Sequence, residues 1–221
     1  MKNYMPHLTT AGLALMLGLA SASAQSISIT NPSFEANSGY SGGTTSSVIG
    51  WQANSFPIGL GTYGSVDDVS AAFTSGLSGT NAFYIGGNIA QLTAATFETG
   101  RTYTLSFDIG KPTGAGPTTD GFQFGFINNA NTAFIAGGES FVAVNDLTAG
   151  AFQTYSVAYT AVSGDNGNTI RIGATDFFAS SATYRIDNVQ LSASAIPEPS
   201  TFAAFVGIAA IGLATLRRRR A

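Results

Sequence analysis

Thr102-Tyr103-Thr104-Leu105-Ser106-Phe107-Asp108-Ile109 alternates between polar and apolar side chains without a break. Successive side chains of an extended chain point to opposite sides, so Tyr103, Leu105, Phe107 and Ile109 share one face and Thr102, Thr104, Ser106 and Asp108 the other. That pattern is a half-buried strand. Phe122, Phe124 and Phe126 repeat it, as do Tyr155, Val157 and Tyr159, then Ile170 and Ile172. Shorter strands are expected near Ser26–Ile29, Ala82–Ile85, Ile89–Leu92, Ala133–Ala136 and Phe141–Val144. Between Gln25 and Ala195 no convincing run keeps a helical period, and turn-rich stretches such as Gly110–Gly121, Asn128–Asn131 and Ser163–Asn168 separate the strands. The expectation is an all-β domain built as a two-sheet antiparallel sandwich.

The last strand breaks its own rhythm. Tyr184 and Ile186 share one phase, while Val189 and Leu191 share the opposite one, so the register slips at Asp187-Asn188. A β-bulge there reconciles the halves and re-aims Asp187; the other reading is that the strand simply ends at the slip.

Composition excludes several chemistries. The chain has no cysteine, and its one histidine, His7, lies near the start. The body therefore cannot hold a Ser-His-Asp or Cys-His triad, a His/Cys zinc site, a His- or Cys-ligated haem or a disulfide. Arg101, Lys111, Arg171 and Arg185 are the body's four cations against eleven acids from Glu35 to Asp187, a balance that argues against nucleic acid as a partner. Glycoside hydrolysis needs only two carboxylates, but the body has just three glutamates, Glu35, Glu98 and Glu139, and no closely spaced acidic signature. The body is accordingly read as non-catalytic. Gly59-Leu60-Gly61-Thr62-Tyr63-Gly64 fits a dinucleotide pattern but lacks the helix that should follow, so it is read as a flexible loop. Asp165-Asn166-Gly167-Asn168 lacks the later glutamate of a calcium loop and is read as a hairpin turn.

Both ends carry targeting features. Lys2 and His7 precede the apolar stretch Ala11–Ala20, and Ala22-Ser23-Ala24 suits signal peptidase, so residues 1–24 are expected to be a signal helix cleaved after Ala24. Residues 25–192 then form the sandwich, and residues 193–200 a linker. Residues 201–221 form a transmembrane helix with an arginine tail: Phe202–Leu216 is uncharged and would span about 23 Å as a helix, short for a bilayer but tolerable with flanking arginines. The positive-inside rule places Arg217, Arg218, Arg219 and Arg220 in the cytoplasm. Pro197, Glu198 and Pro199, followed by this helix and basic cluster, resemble the PEP-CTERM sorting signal of Gram-negative bacteria. That resemblance implies an exosortase partner, transient anchoring in the inner membrane and release to the cell surface or extracellular matrix. An ordinary uncut anchor is the alternative.

The body has a resemblance of its own. Asn31-Pro32-Ser33-Phe34-Glu35, Gly50-Trp51 and the segment Tyr184–Leu191 look like the opening and closing strands of galactose-binding-like jelly rolls, the fold of many carbohydrate-binding modules. It implies a structural calcium held by Glu35 and Asp187, chemically apt because Ca²⁺ takes carboxylate and carbonyl oxygens. Trp51, Tyr63 and Tyr84 are the candidate sugar-stacking residues, although a core position suits Trp51 as well. Together these features read as a secreted, non-catalytic surface or biofilm-matrix protein that binds exopolysaccharide. A structural matrix or adhesion role without a sugar site is the alternative, and a glycoside-active enzyme a distant third.

Overall fold

The computed structural model describes residues 24–37, 48–53, 63–115, 121–176 and 184–194. Eleven strands run in chain order: β1 (Gln25–Ile27), β2 (Gln52–Ala53), β3 (Tyr63–Asp68), β4 (Asn81–Gly86), β5 (Asn88–Thr96), β6 (Thr102–Lys111), β7 (Gly121–Ile127), β8 (Phe134–Ala143), β9 (Ala151–Thr160), β10 (Thr169–Asp176) and β11 (Arg185–Ala193). They form two antiparallel sheets. The first has the order β3-β4-β11-β6-β9, with β1 also on β11, and the second has the order β2-β5-β10-β7-β8. The all-β, two-sheet expectation holds. Among the described residues no helix is long and apolar enough to cross a membrane, and the segments expected to be signal and transmembrane helices lie outside those residues.

Apolar alternation explains how the sheets face each other. β6 pairs with β9 in unbroken register from Thr102↔Thr160 to Lys111↔Ala151, which holds its inward phase constant along the strand. Tyr103, Leu105, Phe107 and Ile109 are all buried on that phase. Phe122, Phe124 and Phe126 of β7 answer from the opposite sheet, fully buried, and the Phe107 and Phe124 rings approach to 5.1 Å. Tilted ring pairs of this kind add to the area they bury, and each large ring removed from water contributes roughly 1.5–3 kcal/mol.

Three local expectations change. Ala133–Ala136 and Phe141–Val144 are parts of one strand, β8, which runs through Gly137 and Gly138. The pairing with β7 slips at these residues: Gly125 faces Glu139 and Ile127 faces Phe134, so residues 135–138 bulge within a strand that local sequence reads as broken. β3 was missed because Tyr63-Gly64-Ser65-Val66-Asp67-Asp68 has little apolar alternation; its pairing with β4 defines it. The Asp165–Asn168 turn joins β9 of one sheet to β10 of the other, so it is an arch between layers and not a hairpin.

Between β3 and β4 the chain folds over the outer side of the first sheet. Val69, Phe73, Ala82 and Phe152 make a small second core there, with Phe73 and Phe152 at 4.3 Å. A glycine permits it: a Cβ on Gly110 would lie 2.6 Å from the Phe73 ring and 2.9 Å from that of Phe152.

Candidate active site

Charged residues occupy the inward phase at one end of the sandwich. In β10, Ile170, Ile172 and Ala174 are fully buried, and Asp176 continues their phase at 5% exposure. It pairs in register with Phe122, which is 0% exposed. In β6, Lys111 follows Ile109 on the inward phase and is 8% exposed. Arg185 pairs with Gly110, so Tyr184, one residue earlier, stands beside Lys111 on the neighbouring strand. Tyr184 is fully buried and its ring lies 5.5 Å from that of Phe122, nearly edge-on at 68°. An acid from one sheet thus shares a layer with two aromatic rings, and Lys111 of the other sheet lies at the same end.

This end is where β6, β10 and their partners stop pairing. The chain leaves Lys111 for β7 and Asp176 for β11 here, and residues 116–120 and 177–183 of those connections lie outside the described residues. The backbone at Asp176 is fixed by its own N–H donating to the Gly87 carbonyl at 2.8 Å. A carboxyl group among aromatic rings, away from bulk water, can donate a proton and take one back.

A second cluster lies on the outer side of the first sheet. Between Asp187 and Gln190 the register with β6 shifts, and Asn188 takes a φ of 44°, so the expected bulge is present. Asn188 turns outward to donate to Asp108 at 2.8 Å, and Asp108 also accepts from the Thr154 hydroxyl at 2.5 Å. Asp187 is fully buried, accepting from the backbone N–H of Ser78 and of Asn188, each at 2.7 Å. Glu35 reaches the same loop from the N-terminal segment, its Oε1 accepting from the N–H of Thr80 at 2.9 Å and of Asn81 at 2.7 Å. Burial, above all, pushes the Asp187 carboxyl up to about 7; the two N–H bonds pull the other way, and the neighbouring charges that add to the rise, Asp108 and Glu35, are both acids.

The donor set there is hard oxygen: two carboxylates on one turn, with backbone carbonyls within the same loop. Among the described residues no group of three or more His, Cys, Asp or Glu side chains is placed to hold a metal. A cation at this point would rest on two acids and carbonyl oxygens, a set that suits calcium and not a softer metal.

The aromatic candidates are placed differently from an exposed sugar platform. Trp51 is 5% exposed, 5.7 Å from the Phe34 ring, and its indole N–H donates to the Asn31 carbonyl at 3.2 Å. Its core position follows from β2 pairing with β5. Tyr84 sits under the Arg185 guanidinium, 4.6 Å from ring centre to cation, on the outer side of the first sheet. The Tyr63 backbone pairs with Gly86 in the β3–β4 ladder. The sorting-motif residues Pro197, Glu198, Pro199 and Arg217–Arg220 lie outside the described residues.

A cleft of about 380 Å³ runs along the outer side of β6 and β11. Its side chains, among them Ser26, Thr104, Ser106 and Gln190, carry no ionisable group, so it cannot supply acid–base chemistry. Asp176 and Lys111 were not singled out from sequence, yet a signal existed. Each is a charged residue in phase with a buried apolar series, Ile170/Ile172/Ala174 and Leu105/Phe107/Ile109.

Comparison with known proteins brings in a family. Residues 25–192 match the family model HpiC1-like, described as HpiC1 cyclase. Among solved structures, the chain is similar to the Stig cyclase Fisc from Fischerella sp. TAU, in complex with (3Z)-3-(1-methyl-2-pyrrolidinylidene)-3H-indole. The identity is 20%, the match covers 79% of this chain and 100% of that one, and the TM-score is 0.61. A cyclase from Fischerella sp. TAU in complex with 4-(1H-Indol-3-yl)butan-2-one matches at 21% identity over 78% of this chain and 98% of that one, with a TM-score of 0.59. These likenesses show a shared fold. No curated protein matches.

The family match overturns the identity and function expected from sequence. A PEP-CTERM, exosortase-sorted matrix protein with a non-catalytic, polysaccharide-binding body is replaced by a cyclase-family protein. The physical reason is that Asn31–Glu35, Gly50-Trp51 and Tyr184–Leu191 report how a sandwich opens and closes, which different functions share. The exclusion of enzymes rested on missing histidine, cysteine and paired glutamates, and a reaction driven by one buried aspartate escapes that test.

Proposed function

Because the chain belongs to the HpiC1-like cyclase family, we propose that it closes a ring in a small aromatic substrate, held at the end of the sandwich that Asp176, Tyr184 and Phe122 line. The observation that carries this reading is Asp176, an acid at 5% exposure on the inward phase of a core strand, in register with a buried phenylalanine. The indole compounds bound by the two Fischerella proteins favour an indole-type substrate.

The step balances without a co-reactant. The Asp176 carboxyl donates its proton to a basic atom of the substrate, leaving a cationic electrophile. A π bond of the same molecule attacks it, forming the new ring bond, and the Asp176 carboxylate removes a proton from the ring-closed cation. Substrate and product have the same formula. Phe122 and Tyr184 contribute ring faces that attract a passing cation, typically by about 0.5–2 kcal/mol, and exclude water that would trap it.

Incubation of the purified protein with a panel of C3-substituted indoles in D₂O tests this. The expected result is an isomer that retains one solvent deuterium, and Asp176→Asn should lower its rate by about 10²- to 10⁴-fold while indole binding persists. Equal rates for wild type and Asp176→Asn would remove Asp176 from the chemistry, and a panel without any bound indole would remove the substrate class.

Glu35 and Asp187 are the residues that would hold a structural calcium ion, which would supply positive charge against a buried carboxyl whose charged neighbours are acids. Its place is on the outer side of the sheet, away from Asp176, so it organises the fold and takes no part in the reaction. The apolar stretch and small residues of 1–24, with the uncharged run and arginines of 201–221, support an exported protein with a membrane-held end.

A further inference from the structure

Arg101 stands just before β6, at the opposite end of that strand from Lys111, and is held at three points. Its Nη1 donates to Glu98 Oε1 at 2.9 Å, its Nε to the Ser194 carbonyl at 2.8 Å and its Nη2 to Gln25 Oε1 at 2.7 Å. The guanidinium carbon also lies 5.9 Å from the centre of the Tyr103 ring, and the side chain is only 12% exposed. A planar fork fixed by Glu98, Ser194 and a ring has little freedom left, so its remaining donor is aimed at Gln25 in advance.

Three boundaries coincide at Gln25. The small residues Ala22-Ser23-Ala24 set the expected signal-peptidase cut just before it. The family match begins at residue 25. β1 begins there too, with Gln25 in register with Ala193 of β11. A cut after Ala24 gives Gln25 a free α-amine, which can reach the amide carbon of its own side chain and close a lactam ring. Only the neutral amine attacks; an α-amine titrates near about 7.7–8.0, and a guanidinium beside it favours the neutral form. The same guanidinium donates to Oε1, the atom that becomes an oxyanion during the attack, which is how aimed donors promote acyl transfer.

We propose that Gln25 is a modification site: once it is the first residue, it closes on itself to an N-terminal pyroglutamyl lactam, and Arg101 promotes the step. The bond from the α-nitrogen to Cδ forms, the Cδ–Nε2 bond breaks, and Nε2 leaves as ammonia with a proton from the α-amine. No co-reactant is needed. The lactam is uncharged, so its formation removes a cation from beside Arg101, and it keeps a carbonyl that can accept from Nη2. This rests on the reading of residues 1–24 as a leader that is removed, and it is independent of the chemistry at Asp176.

Two arms test the assignment. In the first, the full chain is made with residues 1–24 replaced by a carrier that a protease removes just before Gln25, and loss of ammonia is followed by intact mass from roughly pH 6 to 9, across the range where the amine titrates. Folded wild type should react about tenfold faster than the same protein in urea, with its rate rising at lower pH. Arg101→Met should slow the folded protein by about tenfold, less than the about 10²-fold of an enclosed oxyanion donor because Gln25 is exposed. Arg101→Lys should keep part of the rate. The urea control stands even where a variant folds poorly. A folded wild type that reacts no faster than the unfolded one overturns the role of Arg101 and leaves it as a fastener between β1 and the end of β11. In the second arm, the chain with its own residues 1–24 is exported from a bacterial host and its first peptide is mapped. A chain that begins at cyclised Gln25 bears out the modification. Uncyclised Gln25 overturns the modification and leaves the leader standing, and a chain that begins elsewhere overturns the leader and the modification together.

Discussion

Tyr159 and Asp165 form a tight polar contact at the edge of the core. The phenol donates to Asp165 Oδ2 at 2.5 Å, and the same oxygen accepts from the Val162 N–H at 3.0 Å. Burial, then the bond to Asp165, pushes the Tyr159 phenol up to about 12. An unfolded tyrosine titrates near about 10. The folded state therefore holds this proton more tightly: the stabilisation is complete below about pH 10 and is lost as pH rises to about 12. Tyr159→Phe should cost about 1–2 kcal/mol at neutral pH and should flatten the fall in stability between pH 10 and 12, measured by urea unfolding across that range. Superimposable alkaline profiles would assign the fall to other groups. The pair is hard to see in sequence, because Asp165 looks like any turn residue until the arch brings it back against Tyr159.

At the scale of elements, the β3–β4 connection and the β11 bulge decide what the outer side of the first sheet can do. The connection docks through Phe73 on Phe152, above Gly110. A methyl group at Gly110 would force both rings aside, so Gly110→Ala should destabilise by about 1–3 kcal/mol. Gly164→Ala, where a Cβ meets nothing within 4 Å, should be nearly neutral. Urea midpoints of the two variants compare them directly, and an equal loss in both would show that the ring contact does not set the cost. The bulge was legible because period two is strict: a change of phase between Ile186 and Val189 requires an extra residue. What Asp187 meets after the bulge was not legible, since Ser78 is 109 positions away in the chain.

For the molecule as a whole, Glu35 and Asp187 tie together three distant stretches: the N-terminal segment, the Ser78–Asn81 turn and the last strand. A cation bound there stabilises the folded state by mass action. Calcium at a hundred times its dissociation constant should add about 2.7 kcal/mol, seen as a rise in unfolding temperature that chelator reverses. Asp187→Asn should abolish the response. Equal midpoints with calcium and with chelator would remove both residues from metal binding.

The sequence by itself determined the strongly alternating strands and their buried sides, though not β3 or the continuity of β8. Tyr103, Leu105, Phe107 and Ile109 are inward because alternation is a local property of an extended backbone, and the slip at Asp187-Asn188 is local too. Composition likewise ruled out histidine and cysteine chemistry without any structure. Only the tertiary structure decided which strands are neighbours, with β11 between β4 and β6 although it comes last in the chain. That choice seats Trp51 in the core, gathers Glu35 and Asp187 on one turn, and sets Lys111 and Asp176 at one end of the sandwich on opposite sheets. Period two states which side a residue faces, but what lies on that side depends on pairings between segments far apart in the chain, and no local pattern encodes them.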